Sequence, residues 1–124
     1  MHGDYFGMTV LVVEDDALMR MLAADIFTEA GFKVVEAGSA AEALNLLNNK
    51  EDIGLMFSDI DMGGTMDGLE LAELVHWRWP LVRLLLTSGD HCPSIEALLQ
   101  PGQFIRKPWK PLSLMERVEE ILRA

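Results

Sequence analysis

Five short apolar runs recur along the chain, and a stretch with helical spacing follows most of them. Thr9-Val10-Leu11-Val12-Val13 runs into Glu14-Asp15-Asp16, and Phe32 to Ala37 forms a second run. Leu55 to Ser58 leads into Asp59, Leu81 to Thr87 into Ser88-Gly89-Asp90, and Gln103 to Lys107 into Pro108. Runs this apolar and β-branched read as parallel strands buried on both faces. Leu18, Leu22, Ile26 and Ala30 at i+4 spacing predict a helix closed by Gly31. Ser39-Ala40-Ala41-Glu42 reads as a capping box, with Ala43, Leu44 and Leu47 as the buried stripe behind it. Leu71, Leu74 and Val75 suggest a helix ending before Pro80, and Pro111 can open a last helix with Leu114, Met115, Val118, Ile121 and Leu122 on one face. Pro93 to Gln100 can hold at most a short helix, since Pro101-Gly102 stops it. Strand and helix alternating in this way predict a single α/β domain over residues 1–124, a parallel sheet covered on both sides.

Composition narrows the function. The net charge of −10 argues against nucleic-acid binding, which needs a basic face, and leaves room for an acidic cluster that recruits a hard cation. No apolar run approaches the length of a membrane span, and Met1 to Tyr5 lacks the character of a signal peptide. Cys92 is the only cysteine, so no internal disulfide can form, and a cytoplasmic setting is expected.

The polar residues at the strand ends carry the chemistry. In an open α/β sheet, ligands bind beyond the C-terminal ends of the strands. There the first run brings Glu14 and Asp15, the third Asp59, the fourth Thr87-Ser88, and the fifth Lys107. Each alone is an ordinary loop residue; converging, they suit phosphoryl transfer to a carboxylate. Asp59 would be the nucleophile, and the acids would hold Mg²⁺ through oxygens. Lys107 would meet a phosphoryl oxygen, and Thr87 would donate a hydrogen bond.

Together the motifs Val12-Val13-Glu14-Asp15-Asp16, Ser58-Asp59-Ile60-Asp61-Met62 with Met66-Asp67-Gly68, Leu86-Thr87-Ser88-Gly89 and Lys107-Pro108-Trp109 resemble the receiver domain of two-component response regulators, of the chemotaxis-regulator kind. The resemblance covers essentially the whole chain. It implies a flavodoxin-like, doubly wound five-stranded sheet of order 2-1-3-4-5, and a phosphorylation-activated switch in a two-component system or phosphorelay. Asp59 would accept a phosphoryl group from the phosphohistidine of a sensor histidine kinase or histidine phosphotransfer protein. Glu14, Asp15, Asp59 and the backbone carbonyl of Asp61 would surround Mg²⁺. Phe104 falls where receivers carry a switch aromatic that responds to Thr87. Such a domain turns over no separate substrate and acts through a downstream protein partner, without contacting nucleic acid or membrane.

Three features depart from the pattern. The loop Met62-Gly63-Gly64-Thr65-Met66 is one residue longer and lacks the usual proline; Glu14 stands where aspartate is commoner; and the segment Asp90 to Gly102 is short. Two other readings compete. Asp59 to Glu70 matches much of a calcium loop, and Asp59-Ile60-Asp61 resembles the motif of aspartate-nucleophile phosphatases. Elsewhere structural roles are preferred: Trp77 and Trp79 as packing or partly exposed anchors, His76, His91 and Cys92 as incidental, and most methionines as core filler.

Overall fold

The structure is a computed structural model that describes residues 7–50, 52–64, 66–89 and 103–123. Its strands are β1 (Thr9–Val13), β2 (Lys33–Ala37), β3 (Ile53–Asp59), β4 (Arg83–Ser88) and β5 (Phe104–Arg106). Its helices are α1 (Ala17–Glu29), α2 (Ala40–Asn49), α3 (Gly68–Arg78) and α4 (Pro111–Arg123). The strands pair in parallel in the order β2-β1-β3-β4-β5, as expected. β3 begins earlier than the apolar run suggests, because Ile53 is buried and pairs with Thr9. The short helix expected between Pro93 and Gln100 lies outside the described residues, as do His91 and Cys92.

Alternation along the strands builds two core layers. Leu11, Val13, Met56, Leu84 and Leu86 pack with Ala43, Leu47, Leu71 and Val75 on the α2/α3 side. Val10, Val12, Leu55, Phe57 and Leu85 pack with Phe27, Leu114 and Val118 on the α1/α4 side. All five residues of β1 are buried, which explains why its sequence shows no polar alternation.

Local signals set the helix ends. Asp16 caps α1 by accepting from the Leu18 and Met19 amides at 2.9 and 3.3 Å. At the other end Gly31 has φ +101°, its amide donates to the Thr28 carbonyl, and that of Phe32 donates to the Phe27 carbonyl. This is a Schellman closure that only glycine enters without strain. The row Leu18-Leu22-Ile26-Ala30 meets the buried face only in its second half: Leu18 is 78% exposed, while Ile26 is buried with Ala23, Ala24 and Phe27. The box expected at Ser39 forms in part. Ser39 Oγ accepts from the Glu42 amide, but Glu42 Oε1 takes the amide of Gly38 rather than that of Ser39. A complete capping box opens α3 instead, between Asp67 and Glu70.

Candidate functional site

β1 and β3 lie side by side, with Val13 opposite Ser58, so their C-terminal ends deliver acids to one place. Glu14 is 6% exposed and Asp59 4%, whereas Asp15 is exposed. Carboxylate oxygens of Glu14, Asp15 and Asp59 lie within 4.8 Å of one another. Lys107, one residue past β5, reaches into this group. Its Nζ stands 2.8 Å from Asp59 Oδ2 and 3.1 Å from Glu14 Oε1. Its main-chain amide extends the β4–β5 ladder to the Ser88 carbonyl at 2.9 Å, and a cis peptide bond joins it to Pro108.

The electrostatics follow from burial and pairing. Burial pushes the Glu14 carboxyl above the usual range, and the nearby Asp59 charge adds to the rise against the hydrogen bonds from Asp16 and Lys107. Burial also disfavours the Lys107 charge, but hydrogen bonds to Asp59 and Glu14 outweigh it and hold the ammonium above its ordinary pKa. Asp15 is held below the usual range, chiefly by the Gly63 amide 3.2 Å from its Oδ2.

Asp61 stands apart from the acid cluster. Its amide donates to Asp59 Oδ1 at 2.9 Å, and its own carboxylate accepts from Ser88 Oγ at 2.5 Å. Thr87 pairs in register with Asp59, and its hydroxyl is buried with no hydrogen-bond partner.

Three further residues shape the site through contacts that the structure adds. Arg20 of α1 donates to the Glu14 carbonyl at 2.8 Å and pairs with Glu36 at 3.3 Å, tying the acidic strand end to β2. The Gly63 amide positions Asp15. Gly68 lies so close to the strand end that a Cβ on it would sit 2.1 Å from the Asp59 carbonyl oxygen. Asp67-Gly68-Leu69-Glu70 did carry a readable sign, the spacing of a capping box. The contacts of Arg20 and Gly63 cross between elements and leave no local pattern.

The calcium-loop reading does not survive this geometry. A strand, not a helix, precedes Asp59; Asp59 pairs with Lys107 and Asp61 with Ser88, while Asp67 caps α3 and Glu70 closes its box. Glu14, Asp15 and Asp59 offer hard oxygen donors from two strand ends, a set that suits a small divalent cation.

A doubly wound parallel sheet with three acids and a lysine at its C-terminal edge defines the receiver class of switch domains. The response regulator receiver domain family matches residues 10–119, and the chain belongs to that family. A chemotaxis protein CheY homolog of Campylobacter jejuni is 34% identical over 122 residues, covering 93% of this chain and 92% of its own length. The chemotaxis protein CheY of Thermotoga maritima is 33% identical, covering 93% and 98%. The response regulator protein FleR of Pseudomonas aeruginosa matches 88% of this chain with 23% of its length, so the same domain also occurs inside longer regulators. Among solved structures, a CheY-like receiver domain of Methanospirillum hungatei superposes with a TM-score of 0.85 at 26% identity, covering 94% of each chain. A receiver protein of Sinorhizobium medicae gives 0.86 at 24% identity, covering 95% and 96%, a likeness of fold.

Proposed function

We propose that the domain is a phosphorylation-controlled switch with Asp59 as the acceptor. The observation that carries this is the buried Asp59 carboxylate held by Lys107 beside Glu14 and Asp15. A carboxylate oxygen of Asp59 attacks the phosphorus of a phosphohistidine. The P–N bond breaks, its electron pair stays on the imidazole nitrogen, and that nitrogen takes a proton. Lys107 exchanges Asp59 Oδ2 for a phosphoryl oxygen, and the unpartnered Thr87 hydroxyl donates to another. Glu14, Asp15, Asp59 and the Asp61 carbonyl would hold Mg²⁺, which neutralises charge on the transferring group when bound. Water later takes the phosphoryl group from Asp59, so the domain turns over no separate substrate.

The donor in this reading is a histidine kinase or phosphotransfer protein, and the setting is the cytoplasm. Leu18, Met21 and Leu22 support a protein donor: at i, i+3, i+4 on α1, they expose apolar surface just beyond the acids. The output is a second protein partner. Phe104, half-buried at the start of β5 and packed against the α2/α3 layer, is positioned to change that layer's edge when Thr87 moves.

Beryllofluoride, a phosphoryl mimic that needs the metal beside it, tests this reading. Trp109 stacks edge-on against Phe57 at 5.6 Å, two residues before Asp59, so its fluorescence can report the event. The expected response requires Mg²⁺ and is lost in Asp59→Asn and in Asp15→Asn. Tight Ca²⁺ binding that survives Asp15→Asn and vanishes with Glu70→Gln would overturn it.

A further inference from the structure

α3 starts against the Asp59 carbonyl and runs 11 residues, roughly 16 Å, toward the opposite end of the sheet. There it exposes aromatic and apolar surface: Trp77 is 81% exposed, and Leu81 in the turn to β4 is 90% exposed. Between this turn, the end of α2 and the start of β3 lies a groove of about 460 Å³. That size lies within the range of ligand-binding clefts. Leu47, Ile53, Trp79 and Leu81 give it apolar walls, and Lys50 and Arg78 are the charged ones among the described residues that line it.

The sign of that charge is informative. The chain carries a net charge of −10, yet among the described residues both charged groups on the groove are basic. Arg78 is held in place there without being neutralised by what holds it. Its guanidinium carbon lies 4.7 Å from the Trp79 ring centroid, and its Nη2 donates to the amide oxygen of Asn48 at 3.4 Å. The carboxylate of Asp52, two residues beyond Lys50, is not among the described residues that line the groove; it accepts from the Thr9 hydroxyl at 2.6 Å and keeps its negative charge. Tryptophan and arginine are among the residue types that dominate the energetics of protein interfaces.

We propose that this groove is a docking site for a short acidic segment of a partner protein, which inserts one bulky apolar side chain between Leu47, Ile53 and Trp79. Flanking carboxylates of the segment meet Lys50 and Arg78, and the pre-positioned guanidinium sets its orientation. The groove shares no residue with the Asp59 site, so it gives the domain an attachment point separate from its chemistry.

Selection of a random peptide library on the full chain tests the proposal, followed by NMR titration of the selected peptides. The expected peptides carry aspartate or glutamate beside a leucine, phenylalanine or tryptophan, and they shift the Trp79 indole signal. The double substitution Lys50→Glu with Arg78→Glu should weaken them about tenfold, as expected for lost charge-assisted contacts. It should also favour the same peptides with lysine in place of their acids. An unchanged beryllofluoride response in that variant shows that it folds. Basic or neutral selected peptides, shifts confined to other surfaces, no binders at all, or an affinity unmoved by the charge reversal would each overturn it.

Discussion

Thr87 and Asp59 sit opposite each other in the β3–β4 register, one hydroxyl and one carboxylate, both buried, yet the hydroxyl bonds to nothing. A buried donor without a partner costs free energy, and replacing it with an apolar group of the same shape removes that cost. Thr87→Val should therefore leave the melting temperature of the resting domain unchanged or slightly raised. The same variant should lose most of the beryllofluoride-induced shift at Phe104. A clear drop in resting stability would show that the hydroxyl already has a structural partner.

Lys107 is the counter-charge for two buried acids, Glu14 and Asp59. Its removal leaves like charges facing each other out of water. Lys107→Ala should cost about 3 kcal/mol, the low end for breaking a buried ion pair. Adding Glu14→Gln should restore a good part of this, because Glu14 is the acid whose burial already disfavours its charge. Denaturant melts of the two single variants and the double variant decide it; strict additivity would mean that the groups do not interact.

Gly68 opens α3 with its Cα against the strand end, where a Cβ would fall 2.6 Å from Ile60 Cα. The obstacle is backbone, so it cannot rotate aside. Gly68→Ala should destabilise the domain by at least about 1–3 kcal/mol, as overpacking does. It should also weaken Mg²⁺ binding, since relief of the clash displaces Asp59. Gly64→Ala, at φ +105° with open space around a Cβ, tests strain without crowding and should leave Mg²⁺ binding intact.

The Thr9 hydroxyl holds the Asp52 carboxyl below the usual carboxylate range. A depressed folded-state pKa contributes stability above the unfolded value and loses it as the pH falls through the folded one. Thr9→Val should thus melt at a lower temperature than the parent at neutral pH. The gap should close on acidification below the ordinary aspartate range. Carboxyl-carbon NMR of Asp52 should show the pKa rising in the variant, and an unmoved titration would discount the bond.

The strands and the acids at their ends were legible because both rest on contiguous signals, whereas the strand order came from the family resemblance and not from any local run. An apolar run followed by an acid, as at Val13-Glu14 or Ser58-Asp59, encodes burial and strand end in adjacent residues. The buried face of α1 was legible only in part, because Leu18 and Leu22 continue the apolar row of Ile26 beyond the stretch that the core covers. Periodicity cannot distinguish such an exposed apolar row from core. The grip of Arg20 on Glu14 joins residues six apart across a loop, a distance at which no period operates.

β5 is the shortest strand, three residues paired to β4 alone at the sheet's edge, and Lys107 follows directly from it. Glu14 and Asp59 extend from β1 and β3, which have neighbours on both sides. The negative charges are therefore set on strands paired on both sides, and the positive charge follows a three-residue strand paired on one side only. Under the proposed function, a new anion on Asp59 would be followed outward by the cation, and β5 with Phe104 would be the part of the scaffold that yields.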